Sequence, residues 1–127
     1  MPEKGPMTKA VKKSGVVVVS FLVGHVGIDT EHRLRQELQE YVKETPKPKV
    51  LIDLADVSYV SSGPLGVLTA FERQTSEREG KLAFCAVSPY VLETFRAAGL
   101  LRLFDVYENC EEALASFAPG PEGTAPG

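Results

Sequence analysis

The run Val16-Val17-Val18-Val19-Ser20-Phe21-Leu22-Val23 restricts the possible folds more than any other stretch of this chain. A strand with one wet face alternates apolar and polar residues; an almost unbroken β-branched run suits a strand covered on both faces. The segments that follow supply the covers. Thr8 to Lys13, set off by Ser14-Gly15, can pair with the run as a hairpin. From Thr30 to Lys43, Leu34, Leu38, Tyr41 and Val42 recur at helical spacing, with Glu31 and Arg35 as a surface i,i+4 pair. Pro46 and Pro48 close that helix, and Val50 to Leu54 reads as a second buried strand. A loop then enters a helix that runs to about Glu79, with Leu65, Leu68 and Phe71 inward and Val67 off that face, toward the surface.

Gly80 is expected to end this helix, and Leu82 to Val87 reads as a third strand. Ser88-Pro89 has the form of an N-cap followed by proline at the first helical position, with Val91, Leu92 and Phe95 inward and Gly99 as the stop. Leu103 to Tyr107 is a short last strand, and Asn109-Cys110-Glu111-Glu112 has capping-box spacing before Ala113, Leu114 and Phe117. Strand and helix alternate throughout. This predicts an α/β domain with a mostly parallel sheet and places any site at the strand-to-helix turns.

A chain of 127 residues is one domain's worth of material. Its ends are rich in glycine and proline, so residues 1–7 and 118–127 are expected to be disordered tails around a folded unit at 8–117. The net charge of −3 gives no basic excess to attract phosphate backbones or anionic lipid, which argues against nucleic acid as a partner. No apolar run approaches the roughly 18 residues of a membrane span, and the start MPEKGPMTKA lacks the apolar stretch of a secretory signal. These features predict a chain that is not inserted in a membrane and resides in the cytoplasm. Cys85 and Cys110 show no CxxC spacing and are expected to be reduced packing residues. His25 and His32 have no neighbouring cysteine or histidine, so neither a metal nor a cofactor is assigned.

Two adjacent hydroxyls, Ser61 and Ser62, stand before Gly63 and Pro64 where the loop becomes a helix. Proline at the first helical position would place Ser62 and Gly63 at the helix entry, where free N–H groups and the positive end of the helix dipole lie. Two readings follow. Ser62 caps the helix, or it accepts a phosphate whose oxygens those N–H groups favour.

The stretch Val50-Leu51-Ile52-Asp53-Leu54-Ala55-Asp56-Val57-Ser58-Tyr59-Val60-Ser61-Ser62-Gly63-Pro64-Leu65-Gly66-Val67-Leu68 resembles the STAS domain signature of bacterial anti-sigma factor antagonists. In that signature a buried strand ending in Asp or Asn-Leu precedes, at this distance, Asp-Ser-Ser/Thr-Gly-Leu-Gly and an apolar helix. Gly80-Lys81-Leu82, Val87-Ser88-Pro89, Val91, Phe95, Gly99-Leu100, Leu103-Phe104, Val106-Tyr107 and Glu112-Ala113-Leu114 resemble the downstream pattern. The resemblance covers nearly all of Thr8 to Phe117 and implies a mixed sheet of four or five strands with about four helices mainly on one face.

The resemblance also implies a function. The family's phosphate-accepting residue falls on Ser62, and the partner would be an anti-sigma factor that is also a serine kinase, reset by a cognate phosphatase. Only the unphosphorylated chain would bind, through Ser61, Ser62, Gly63, Pro64 and the surface-facing Val67. This sequence departs from the pattern in three places: Ser61 replaces the Asp, Gly63 the second hydroxyl residue and Pro64 the Gly. The alternative is a constitutive adaptor of the same fold, in an assembly with other STAS proteins or in a lipid-transport complex. No enzyme constellation is present. Residues 60 to 64 read Val-Ser-Ser-Gly-Pro, without the G-x-S-x-G turn of a serine hydrolase, and neither a P-loop nor a dinucleotide glycine motif occurs.

Overall fold

A computed structural model describes residues 6–118. Strands β1 (Thr8–Lys13), β2 (Val16–Phe21), β4 (Lys49–Asp53), β6 (Lys81–Cys85) and β7 (Asp105–Tyr107) form one sheet in the order β1-β2-β4-β6-β7. The β1–β2 pair is antiparallel, and the other pairs are parallel. Two further strands, β3 (His25–Val26) and β5 (Tyr59–Val60), pair in parallel as a separate small ladder. The helices are α1 (Glu31–Val42), α2 (Ser62–Glu77), α3 (Pro89–Ala97) and α4 (Cys110–Ala115).

The valine run is apolar on both sides because both sides are covered. Val17, Val19 and Phe21 join Val50, Ile52, Leu82 and Phe84 beneath α1, α2 and α3. Val16 and Val18 face the other way and join Leu51, Ala83, Cys85, Ala113 and Phe117 beneath α4. Three helices therefore cover one face and one short helix the other, as the resemblance implied. Phe84, Phe95 and Phe104 meet in stacked and edge-on pairs with centroids 4.5 to 5.6 Å apart, which fixes α3 over the sheet.

The cap expectations hold at both later helices: the Ser88 hydroxyl accepts from the Val91 N–H at 3.3 Å and the Asn109 carboxamide from the Glu112 N–H at 2.8 Å. The end of α2 differs from the expectation. The left-handed residue there is Glu79 (φ 61°), not Gly80. Gly80 is needed for space, since a Cβ on it would lie 2.1 Å from the Pro48 carbonyl oxygen, which accepts the Lys81 N–H at 2.8 Å.

Two other expectations are corrected. Cys85 and Cys110 are not separate thiols: they form a disulfide with Cα atoms 5.2 Å apart, because the end of β6 and the start of α4 converge on the same face of the sheet. Met7, counted with the N-terminal tail, is fully buried, and its N–H and that of Thr8 donate to the Glu37 carboxylate of α1 at 3.0 and 2.9 Å. The remainder of the two predicted tails, residues 1–5 and 119–127, lies outside the described residues.

Candidate functional site

The loop from β4 to α2 is bound along its length to the segment that follows β2. The Gly24 carbonyl accepts the Ser58 N–H at 2.8 Å and the Tyr59 N–H at 3.3 Å, and the Val26 carbonyl accepts the Ser61 N–H at 2.9 Å. Between these contacts runs the β3–β5 ladder, pairing His25 with Tyr59 and Val26 with Val60. Gly24 permits the approach, since a Cβ there would lie 3.2 Å from the Asp56 carbonyl oxygen. The turn that delivers the two serines is therefore tied down by backbone hydrogen bonds.

The serines occupy different environments. Ser61 is the N-cap of α2, with extended backbone, but its side chain makes no cap hydrogen bond; its Oγ is buried and has no hydrogen-bond partner among the described residues. Ser62, expected to cap or flank the helix, is instead its first residue and is exposed. Pro64 is correspondingly the third helical residue rather than the first, and is buried. Its missing N–H still costs no intrahelical bond, because the first four donors of a helix have no partner within it. The ladder of α2 begins with the Leu65 N–H donating to the Ser61 carbonyl at 3.1 Å. Gly63 lies against α1: a Cβ on it would approach Glu31 Oε1 to 2.5 Å and Ile28 Cγ1 to 3.8 Å. The Glu31 carboxylate in turn pairs with Arg35 at 3.4 Å.

Val67 is not at the surface. It is 4% exposed, because α2 packs on α1 as well as on the sheet, and its buried arc takes in Pro64, Leu65, Val67, Leu68, Phe71 and Thr75. The exposed apolar residues near Ser62 come from other elements. Ile28, in a 3-10 turn just before α1, is 73% exposed, and Tyr90 in the first turn of α3 is 60% exposed. The rings of His25 and Tyr59 stack at 4.4 Å, and Tyr59 continues to Tyr90 at 6.3 Å. An aromatic row thus crosses the β3–β5 ladder beside the helix entry, with Ile28 on the Gly63 side. Aromatic and isoleucine side chains held at a rigid surface offer anchors for a protein partner. Sequence reading missed this row because its members are single residues in three separate segments, two of them joined by a ladder of only two residue pairs.

The architecture and the serine-bearing helix entry define a class: a small mixed α/β domain whose strand-to-helix turn is presented on a braced surface. A family model of the STAS domain matches residues 8–113, and the chain belongs to this family. BtrV of Bordetella bronchiseptica, a candidate anti-sigma factor antagonist, is 30% identical over 111 residues, which cover 87% of this chain and 95% of its own length. The crystal structure of an anti-sigma factor antagonist from Mycobacterium paratuberculosis superposes with a TM-score of 0.76 at 27% identity, covering 86% of this chain and 91% of that one. A STAS domain protein from Planctomyces limnophilus has a TM-score of 0.80 at 24% identity, over 87% of this chain and 97% of its own. Among the described residues no helix is long and apolar enough to cross a membrane.

Proposed function

We propose that this chain is a cytoplasmic anti-sigma factor antagonist that binds a kinase-type anti-sigma factor through the α2 entry, and that phosphorylation of Ser62 breaks the contact. The observation that carries the reading is the contrast between the two hydroxyls. Ser62 is exposed on the first residue of a braced helix, whereas the Ser61 Oγ is buried. A kinase needs an accessible hydroxyl, and this selects Ser62. The partner surface comprises Ser62, Gly63 and the aromatic row with Ile28; Ser61 and Pro64 shape it from beneath, and Val67 has no direct part in it. A phosphoserine carries about −1.5 to −2 charges at pH 7. Placed among apolar anchors and close to the turn that holds the Glu31 carboxylate, it opposes an interface by desolvation and like-charge repulsion. A cognate phosphatase restores the binding form. No step requires catalysis by this chain.

Incubation with the cognate kinase and ATP, followed by peptide mapping of the segment from Lys49 to Arg73, tests the assignment. Phosphate on Ser62 with loss of kinase binding is the expected result. Phosphate on Ser61 alone would overturn the assignment by moving the acceptor to the neighbouring hydroxyl, and a modified chain that still binds would overturn it in favour of the constitutive adaptor.

A further inference from the structure

The disulfide lies beside the Asp53 carboxylate, away from the α2 entry. Asp53 and Cys85 are register partners at the ends of β4 and β6, so their side chains leave the same face of the sheet side by side. Cys110, the first residue of α4, closes over that face. A carboxylate oxygen of Asp53 and the two sulfurs all lie within 4.8 Å of one another. Cys85 is buried, and Asp53 and Cys110 are half-buried. One carboxylate oxygen, Asp53 Oδ1, accepts the Ala55 N–H at 2.9 Å, which orients the group and leaves its other oxygen available. Two of the three groups are fixed by strand register and the third by a capped helix turn.

We propose that Asp53, Cys85 and Cys110 form a redox-gated site for a thiophilic divalent cation of the zinc class. In the bridged state the sulfurs share a bond and offer no thiolate. A dithiol reductant delivers two electrons and two protons to the bridge; the S–S bond breaks, two thiols form, and the reductant leaves as its own disulfide. The cation then displaces the two thiol protons and binds two thiolates and the carboxylate, with water in a fourth position. Tetrahedral zinc with Zn–S near 2.3 Å holds its sulfurs about 3.8 Å apart. Once the bond is broken, side-chain rotation about a Cα–Cα distance of 5.2 Å can bring the two thiolates to that spacing. Two thiolates with one carboxylate favour zinc over calcium or magnesium, which prefer oxygen donors alone.

The test uses the full chain, reduced with a phosphine under anaerobic conditions and titrated with Zn2+ against a chromophoric chelator, with Co2+ as a spectroscopic probe. The reduced protein is expected to bind one Zn2+ and to show a thiolate-to-cobalt charge-transfer band with tetrahedral d–d bands. The oxidised protein and Cys110→Ser are expected to show neither. Asp53→Asn, which keeps an oxygen for the Ala55 N–H, is expected to weaken binding about tenfold or more with both thiolates present. Circular dichroism of each variant confirms that it is folded. A reduced wild-type chain that binds zinc no better than Cys110→Ser, or an Asp53→Asn variant with unchanged affinity, would overturn the assignment.

Discussion

The difference between Ser61 and Ser62 shows how one position along the chain changes the chemistry of a residue. Both hydroxyls stood at the helix entry in the sequence, but the cap geometry buries the Oγ of one and exposes the other. Val67 and Ile28 make the same point in reverse. A single helical stripe put Val67 outside because it could not register a second packing surface, α1; Ile28 gave no signal of its own in the polar segment before that helix. Val67→Ala is expected to cost about 2 kcal/mol of stability through lost burial and a residual cavity, with little direct effect on partner affinity. Ile28→Ala, at a 73% exposed position, should leave stability within about 0.5 kcal/mol and weaken partner binding about tenfold. Urea denaturation and titration calorimetry on the two variants separate these effects. Gly80→Ala is expected to lose about 2 kcal/mol or more in the same denaturation experiment, since its Cβ would meet the Pro48 backbone rather than a movable side-chain end.

At the scale of elements, the strands of the main sheet, the four α-helices and the caps at Ser88 and Asn109 could be read from periodicity and cap chemistry, with boundaries shifted by a residue or two. Two local features could not be. The β3–β5 ladder is two residue pairs long, too short to leave a periodic trace, yet it holds the loop that carries Ser61 and Ser62. The disulfide joins residues 25 apart, and only the packing of α4 on the back of the sheet brings them together. That link stabilises α4, whose other ties to the sheet include Lys81 Nζ donating to the Ser116 carbonyl at 2.9 Å and lying 4.9 Å from the Phe117 ring centroid. Closing a loop of this length removes denatured-state entropy worth about 3.5 kcal/mol. Reduction in metal-free buffer should lower the unfolding free energy by about 2 to 4 kcal/mol, measured by urea denaturation with and without reductant. Hydrogen exchange should rise first in α4. Unchanged stability and protection on reduction would contradict the clamp.

For the whole molecule, the two-sided valine run, the alternation of strands and helices and the signature around Ser62 were sufficient to indicate the α/β class and the STAS architecture. The surface around the site was less legible, because it is assembled from four separated segments: the β3 region with Ile28, β5, the start of α2 and the start of α3. Their convergence depends on topology, with the β2 and β4 exits adjacent and the β6 exit next in order. In the proposed switch, this convergence is what would let one charge added at Ser62 act on the whole docking surface without a change of fold. The most direct measurement is therefore calorimetric titration of the anti-sigma factor kinase with wild type, Ser62→Ala and Ser62→Asp. Ser62→Ala should bind within a few-fold of wild type and Ser62→Asp about 100-fold more weakly, a difference of about 2.7 kcal/mol. Equal affinities for Ser62→Ala and Ser62→Asp would contradict the phosphoswitch.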